Sequence, residues 1–264
     1  MPARIVARNG DSMTVFLVGA GPGDPELLTV RAARLIAEAD VIVHDRLADQ
    51  AILDLARSDV EFIDVGKKPG FPTPQEMINT LLVHLGSQGL NVVRLKGGDP
   101  YVFGRGGEEA QALIDAEVPF DVVPGISSAV GVPAAAGIPV THRNVSVGFT
   151  VVTGHREKGG ATSINWEALA QVGGTIVVLM GVSERAEIAT RLMSGGLASD
   201  TPVAAIRYGT RPEQTTIRTT LGELADAPLE SPSTIVIGQV AAFDFSPTAK
   251  TSAWARKAGH ASLD

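Results

Sequence analysis

The stretch that decides the fold runs from Thr14 to Ala39, TVFLVGAGPGDPELLTVRAARLIAEA. Its opening, Thr14–Gly19, is a short run of β-branched and large apolar residues and reads as a strand. The strand ends in a glycine loop, GAGPGDP, after which Leu28, Ala32, Leu35, Ile36 and Ala39 recur at helical spacing. The alternation continues outward from there. Val41–His44 reads as a second strand, Phe62–Val65 as a third and Val92–Leu95 as the next, with Val122-Val123 running into Pro124-Gly125. Thr73-Pro74-Gln75-Glu76 has the form of a capping box with proline at the first helical position. It opens a helix whose expected apolar face is Met77, Ile78, Leu81, Leu82 and Leu85, and another helix is expected near Glu108–Ala116. Strands alternating with crossovers of this length imply a mainly parallel sheet covered on both faces.

Beyond the small, glycine-rich stretch Ile126–Val140 the pattern changes. Strand-like runs recur at Gly148–Thr153, Thr175–Met180, Pro202–Ile206, Gln214–Arg218 and Thr234–Val240. Helical patterns lie between them, notably Ser183–Met193 with Ser183 as the expected N-cap. This half reads as a second α/β domain with more antiparallel pairing, hence a mixed sheet. The expected organisation is an N-terminal α/β domain at 14–126, a connecting segment at 127–146 and a C-terminal α/β domain at 147–243, with tails at 1–13 and 244–264.

Bulk composition bounds the function. A chain of 264 residues, 44% hydrophobic and 19% charged, suits a soluble α/β protein of one large domain or two smaller ones. The formal net charge of −7 argues against a general electrostatic grip on nucleic acid, while leaving room for a basic cleft that takes a small anion. The absence of cysteine excludes disulfides, zinc–thiolate sites and thiol nucleophiles, and fits a reducing compartment. No apolar run reaches the roughly 18 residues of a membrane span, and MPARIVARNGDSM lacks the apolar core of a signal peptide. The expected location is cytoplasmic. His44, His84, His142, His155 and His260 show no metal-ligand spacing, and no Ser-His-Asp, HExxH or Walker pattern is visible.

Several stretches can carry chemistry. Gly19-Ala20-Gly21-Pro22-Gly23-Asp24 sits where a nucleotide phosphate loop would, but a dinucleotide fingerprint needs a sixth-position glycine where this chain has Asp24, then Pro25. A carboxylate repels a pyrophosphate, which weighs against a dinucleotide here and favours a plain turn or a loop for a ligand without diphosphate. The stretch LKGGDPYVFGRGGEE, Leu95–Glu109, places five glycines within eleven residues at the C-terminal end of a strand, the edge where open parallel sheets bind ligands. Its glycines let backbone groups reach a ligand, and Asp99 could offset a cationic one. Ser127 and Ser128 either cap a helix or touch a ligand. Thr141-His142-Arg143 is either a solvated loop or a carboxylate contact through arginine. Asp45 and Lys67, at strand ends facing one edge, are either surface charges or proton-transfer groups.

Taken together and in order, VGAGPGDPELLT, VIVHDRL, VGKKPG, VVRLKGGDPYVFGRGGEE, VVPGISSAVGVPAAAGIPVTHR, VTGH, LMGV and YGT closely resemble the tetrapyrrole methylase family, in its uroporphyrinogen-III C-methyltransferase branch. The resemblance covers about residues 14–243. It implies two α/β domains with the active site in the cleft between them, in a homodimer. It implies S-adenosyl-L-methionine as methyl donor, held by Pro22, Gly97, Gly98, Asp99, Val102, Ser127, Ser128, Met180 and Gly209. Many relatives carry Thr-Ala where this chain has Ser127-Ser128. Near Ser233-Thr234 relatives often have alanine and an aliphatic residue. Asp45 matches the proton acceptor and Lys67 the proton donor.

The reaction implied is transfer of two methyl groups to C-2 and C-7 of uroporphyrinogen III, giving precorrin-2 and S-adenosyl-L-homocysteine on the route to sirohaem or cobalamin. An electron-rich pyrrole carbon attacks the sulfonium methyl in line, so positioning and desolvation are the main tasks. The substrate is a polycarboxylate, and Arg46, Lys68, Arg105, His142, Arg143 and Arg156 are the candidate cations for it. Only 13 residues precede the first strand, which leads us to expect the form without the fused dehydrogenase–ferrochelatase module. Other readings remain open: a methylase of the same fold acting on a later precorrin, a nicotinamide-dependent oxidoreductase resting on the first glycine loop, and a protein that only sequesters tetrapyrrole.

Overall fold

A computed structural model describes residues 14–45, 49–66, 73–155 and 164–246. The chain divides into two compact units with the boundary between Ser128 and Ala129. In the first, strands β1 (Val15–Gly19), β2 (Val41–His44), β3 (Glu61–Asp64), β4 (Val92–Lys96) and β5 (Phe120–Val123) form one sheet in the order β3-β2-β4-β1-β5. Every pairing in it is parallel. Helices α1 (Val30–Glu38), α2 (Gln50–Leu53), α3 (Gln75–Ser87) and α4 (Gly106–Asp115) cover it. Val15, Leu17, Val43 and Val92 pack against Ile78, Leu82, Leu85 and Leu113 of α3 and α4. Val18, Ile42, Val93 and Leu95 pack on the other face against Ile36 of α1 and Ile52 of α2. Burial on both faces is why the strands read as continuous apolar runs rather than alternations, each large side chain contributing about 1.5–3 kcal/mol.

The helix starts depart from local expectation in two places. α3 begins at Gln75 with Pro74 in the N-cap position and no side-chain cap bond, so Thr73 does not form the expected capping box. Gln75 is instead drawn inward, donating to Asn79 at 3.0 Å and to Glu109 at 3.4 Å. Met77, expected on the apolar face, is 61% exposed, because it stands one residue off the buried stripe of Ile78, Leu82 and Leu85.

The second unit holds β6 (Phe149–Thr153), β7 (Thr175–Leu179), β8 (Pro202–Arg207), β9 (Thr215–Thr220) and β10 (Ser233–Ile237) in the order β6-β7-β10-β8-β9. β6 and β7 pair in parallel and the other pairs are antiparallel, the mixed sheet expected from sequence. α5 (Ser128–Ala135) opens this unit across the boundary, followed by α6 (Trp166–Val172) and α7 (Arg185–Ser194). Trp166, Ile188 and Leu192 cover one face of the sheet with Val178, Val203 and Ile235. Val132 and Ile138 cover the other with Ala204, Ile206 and Val236. Ser183 is not the N-cap of α7: it lies inside a turn closed by the Glu184 N–H donating to Gly181 O at 3.2 Å, and the helix starts after it.

Candidate active site

β4, β1 and β5 are neighbours in the first sheet, so the loops that follow them leave the same carboxyl edge. These loops are laced together by backbone. The Ala20 N–H donates to Lys96 O at 2.7 Å, Gly98 N–H to Gly21 O at 2.7 Å, and Gly21 N–H to Gly98 O at 3.1 Å. Gly98 takes a left-handed φ of +68°, a conformation that costs other residues roughly 1–2 kcal/mol. A side chain on Gly125 would overlap the Gly98 carbonyl oxygen, and one on Gly19 would lie 2.5 Å from Gly125 N. Asp99 completes the lacing: Oδ1 accepts from Tyr101 N–H at 2.8 Å and Oδ2 from Gly125 N–H at 3.1 Å.

The rest of the β4 loop is apolar and outward. Tyr101, Val102 and Phe103 are exposed. Phe103 and Arg105 hold positive φ of 53° and 58°, a strained backbone for non-glycine residues. The Arg105 guanidinium pairs with both Glu108 oxygens at 2.7 Å, which holds the Glu108 carboxyl below its ordinary range.

The structure gathers most of the expected cofactor contacts of the first unit on one rim. Pro22 follows Gly21 in the bridged loop, and Gly97, Gly98, Asp99 and Val102 share its partner. Ser127 and Ser128 stand opposite Gly98, whose missing side chain would lie 3.8 Å from Ser127 Cα and 3.7 Å from Ser128 N. Asp45 directly follows β2, the strand that pairs with β4. Lys67, Arg46, Lys68 and Arg156 lie outside the described residues.

In the second unit, β7 and β8 flank β10 and both run opposite to it, so Met180 and Gly209 leave one sheet edge. Met180 is 51% exposed with φ of 54°; Tyr208 and Thr210, on either side of Gly209, have φ of 49° and 72°. Three left-handed non-glycine residues around two short loops mark a backbone held by its surroundings. A side chain on Gly209 would overlap Val132. Ser233 and Thr234 pair with Arg207 and Leu179 at the same edge. His142 and Arg143 are exposed; the His142 ring meets Phe243 edge-on at 5.0 Å and its Nδ1 lies 2.8 Å from Arg143 O.

The donor set of the first unit tests which ligand fits. Dinucleotide loops run directly into a helix N-terminus that faces the pyrophosphate. Here Asp24 instead caps a short 3-10 turn, Pro25–Leu27, accepting from Glu26 N–H at 2.9 Å, and α1 begins only at Val30. Asp24 and Asp99 put carboxylates on both glycine loops, while Arg105 is committed to Glu108 and Lys96 to Glu109. That field suits a cationic ligand and opposes a diphosphate.

One group escaped the sequence reading. Beneath the β4 loop, Arg94, Lys96 and Glu109 are all buried. Lys96 Nζ donates to both Glu109 oxygens at 2.8 Å, and Arg94 Nε to Glu109 Oε1 at 3.0 Å. Burial, then the neighbouring Arg94, push the Lys96 ammonium below its ordinary pKa. A signal for this array does exist in RLK: cations at i and i+2 share one face of a central strand, and a buried charge demands a counter-charge.

Residues 14–225 match the profile of the Tetrapyrrole (Corrin/Porphyrin) Methylases, and the chain belongs to that family. Among curated relatives, it is 51% identical over 88% of its length to an S-adenosyl-L-methionine-dependent uroporphyrinogen III methyltransferase of Methanosarcina barkeri, of which it covers 93%. It is 46% identical over 87% of its length to the uroporphyrinogen-III C-methyltransferase of Priestia megaterium, covering 98% of that protein. Among solved structures, the Thermus thermophilus uroporphyrin-III C-methyl transferase complexed with S-adenyl homocysteine superposes with a TM-score of 0.76 at 40% identity, covering 87% of this chain and 93% of that one.

Proposed function

We propose that this chain is an S-adenosyl-L-methionine-dependent methyltransferase that converts uroporphyrinogen III to precorrin-2, methylating C-2 and C-7 and releasing S-adenosyl-L-homocysteine. The observation that carries the reading is the rim at the carboxyl edge of β1, β4 and β5, where Gly98 sits opposite Ser127 and Ser128, Asp99 ties the β4 loop to Gly125, and the β1 glycine loop does not run directly into a helix as a dinucleotide loop does. When bound, the cofactor supplies an electrophilic sulfonium methyl. Pro22, Gly97, Gly98, Asp99, Val102, Ser127, Ser128, Met180 and Gly209 are the residues proposed to hold it, largely through backbone. Asp99 keeps two loops in register and puts negative charge beside them.

Asp45 is the proposed acceptor for the proton that the macrocycle gives up elsewhere once the attacked carbon has become quaternary, and Lys67 the proposed donor. Arg46, Lys68, His142, Arg143 and Arg156 are proposed to bind the substrate carboxylates, together with Arg105 where a substrate carboxylate replaces the exposed Glu108 as its partner. The product stands at the head of both sirohaem and cobalamin biosynthesis. Among the described residues no helix is long and apolar enough to cross a membrane. A homodimer in the cytoplasm is the proposed working form, resting on the family resemblance and on a chain without cysteine.

Anaerobic incubation with radiolabelled S-adenosyl-L-methionine and uroporphyrinogen III tests the assignment. Two labels per tetrapyrrole are expected. Folded protein that leaves the tetrapyrrole unlabelled overturns it.

A further inference from the structure

The buried array under the β4 loop has an unbalanced charge. Arg94 and Lys96 bring two positive charges and share one carboxylate, Glu109. A net charge left inside a protein is costly unless a counter-ion closes it. The opening of the array faces β2. In the register of the parallel pair, Arg94 lies beside Val43, and its NH1 donates to Val43 O at 3.4 Å and to Leu95 O at 3.1 Å. Those bonds aim the remaining nitrogen, NH2, at the end of β2, where Asp45 Oδ2 lies 3.8 Å away. The Arg94 side chain is 4% exposed and that of Asp45 28%, so the pair runs from the interior to the sheet edge.

We propose that Arg94 is a positioning residue for Asp45: Glu109 and Lys96 lock the guanidinium from behind, and its free end orients the Asp45 carboxylate at the site. The inference rests on the reading of Asp45 as proton acceptor. With Asp45 ionised, the four groups sum to zero, two cations against two carboxylates. The planar fork of arginine is what the position requires, since Nε faces α4 while NH1 and NH2 face β2. Glu109 reaches this point because α4 packs beside α3 on that face of the sheet, with Gln75 of α3 donating to the same oxygen at 3.4 Å. A proton acceptor works only within hydrogen-bond reach of its proton, so an acceptor free to swing loses turnover rather than substrate affinity.

The test is a double-mutant cycle on the full chain, reading kcat and KM for uroporphyrinogen III together with affinity for S-adenosyl-L-homocysteine. Arg94→Met leaves Lys96 and Glu109 as a neutral pair. It is expected to lower kcat by about tenfold or more, with KM and nucleoside affinity within about twofold. Arg94→Lys keeps the charge without the fork and is expected to lose less. In an Asp45→Asn background, either substitution is expected to change kcat by less than about twofold. Equal losses in both backgrounds, or no loss in the parent, overturn the positioning role. Full turnover by Asp45→Asn alone overturns the acceptor reading first, and the inference with it. Should circular dichroism show Arg94→Met unfolded, the cycle with Arg94→Lys decides the matter by the same non-additivity.

Discussion

Asp99 uses its two carboxylate oxygens on two different loops, which makes it the residue whose loss should be felt most by the cofactor. Asp99→Ala removes bonds to Tyr101 and Gly125, each worth about 1 kcal/mol, together with a negative charge. Affinity for S-adenosyl-L-homocysteine, measured by calorimetry, is expected to fall by about tenfold or more, whereas Asp45→Ala should leave it within about twofold. Equal weakening by both would dissolve the division between cofactor and proton-transfer residues. The glycines separate in the same way. Gly125→Ala forces a side chain onto the Gly98 carbonyl and is expected to cost about 1–3 kcal/mol in urea unfolding. Gly107→Ala meets nothing within 4 Å and lies in α4, where alanine is favoured by roughly 0.5–1 kcal/mol. It should be neutral or stabilising. The sequence marks both glycines as part of one dense motif, but only the packing of three loops tells the steric one from the open one.

At the scale of elements, strand and helix order was legible because apolar runs and helical stripes are local patterns. The starts of α3 and α7 were not, since a buried contact of Gln75 and a turn before Arg185 overrode the best local cap. α6 and α7 are joined by a bidentate pair, Arg191 to Glu167 at 2.9 and 2.7 Å. Those hydrogen bonds hold the Glu167 carboxyl at about 2, against an ordinary 4.5. The folded value lies below the unfolded one, so the contribution is present above pH 4.5 and is lost as pH falls toward about 2. The pair is at the surface, where solvent screens it, so the effect is small. Glu167→Gln should lower the urea midpoint slightly at neutral pH, and the difference from the parent should shrink to nothing near pH 2. A difference that persists at that pH would assign the loss to packing.

For the molecule as a whole, net charge and substrate charge have the same sign. A chain at −7 repels a polycarboxylate at long range, so binding must come from cations gathered locally. Raising ionic strength from 0.01 to 0.1 M shortens the screening length from about 30 to about 10 Å. The KM for uroporphyrinogen III is expected to rise over that range with kcat unchanged, as the contacts to the carboxylates weaken. A KM that falls with salt would mean the overall repulsion dominates, and would count against Arg105, His142 and Arg143 as carboxylate ligands.

The sequence by itself determined the two α/β units, one sheet parallel and one mixed, and the ordered glycine motifs that mark the family. Those properties follow from residues adjacent or periodic along the chain. Tertiary structure alone decided that Gly19, Gly98 and Gly125 meet, and that the helical stripe excludes Met77. It also decided that Arg94 and Lys96 of β4 share Glu109 of α4 and turn one charge toward Asp45. The physical reason is common to all three. Close approach and charge burial depend on which elements pack face to face, and no local pattern records that choice.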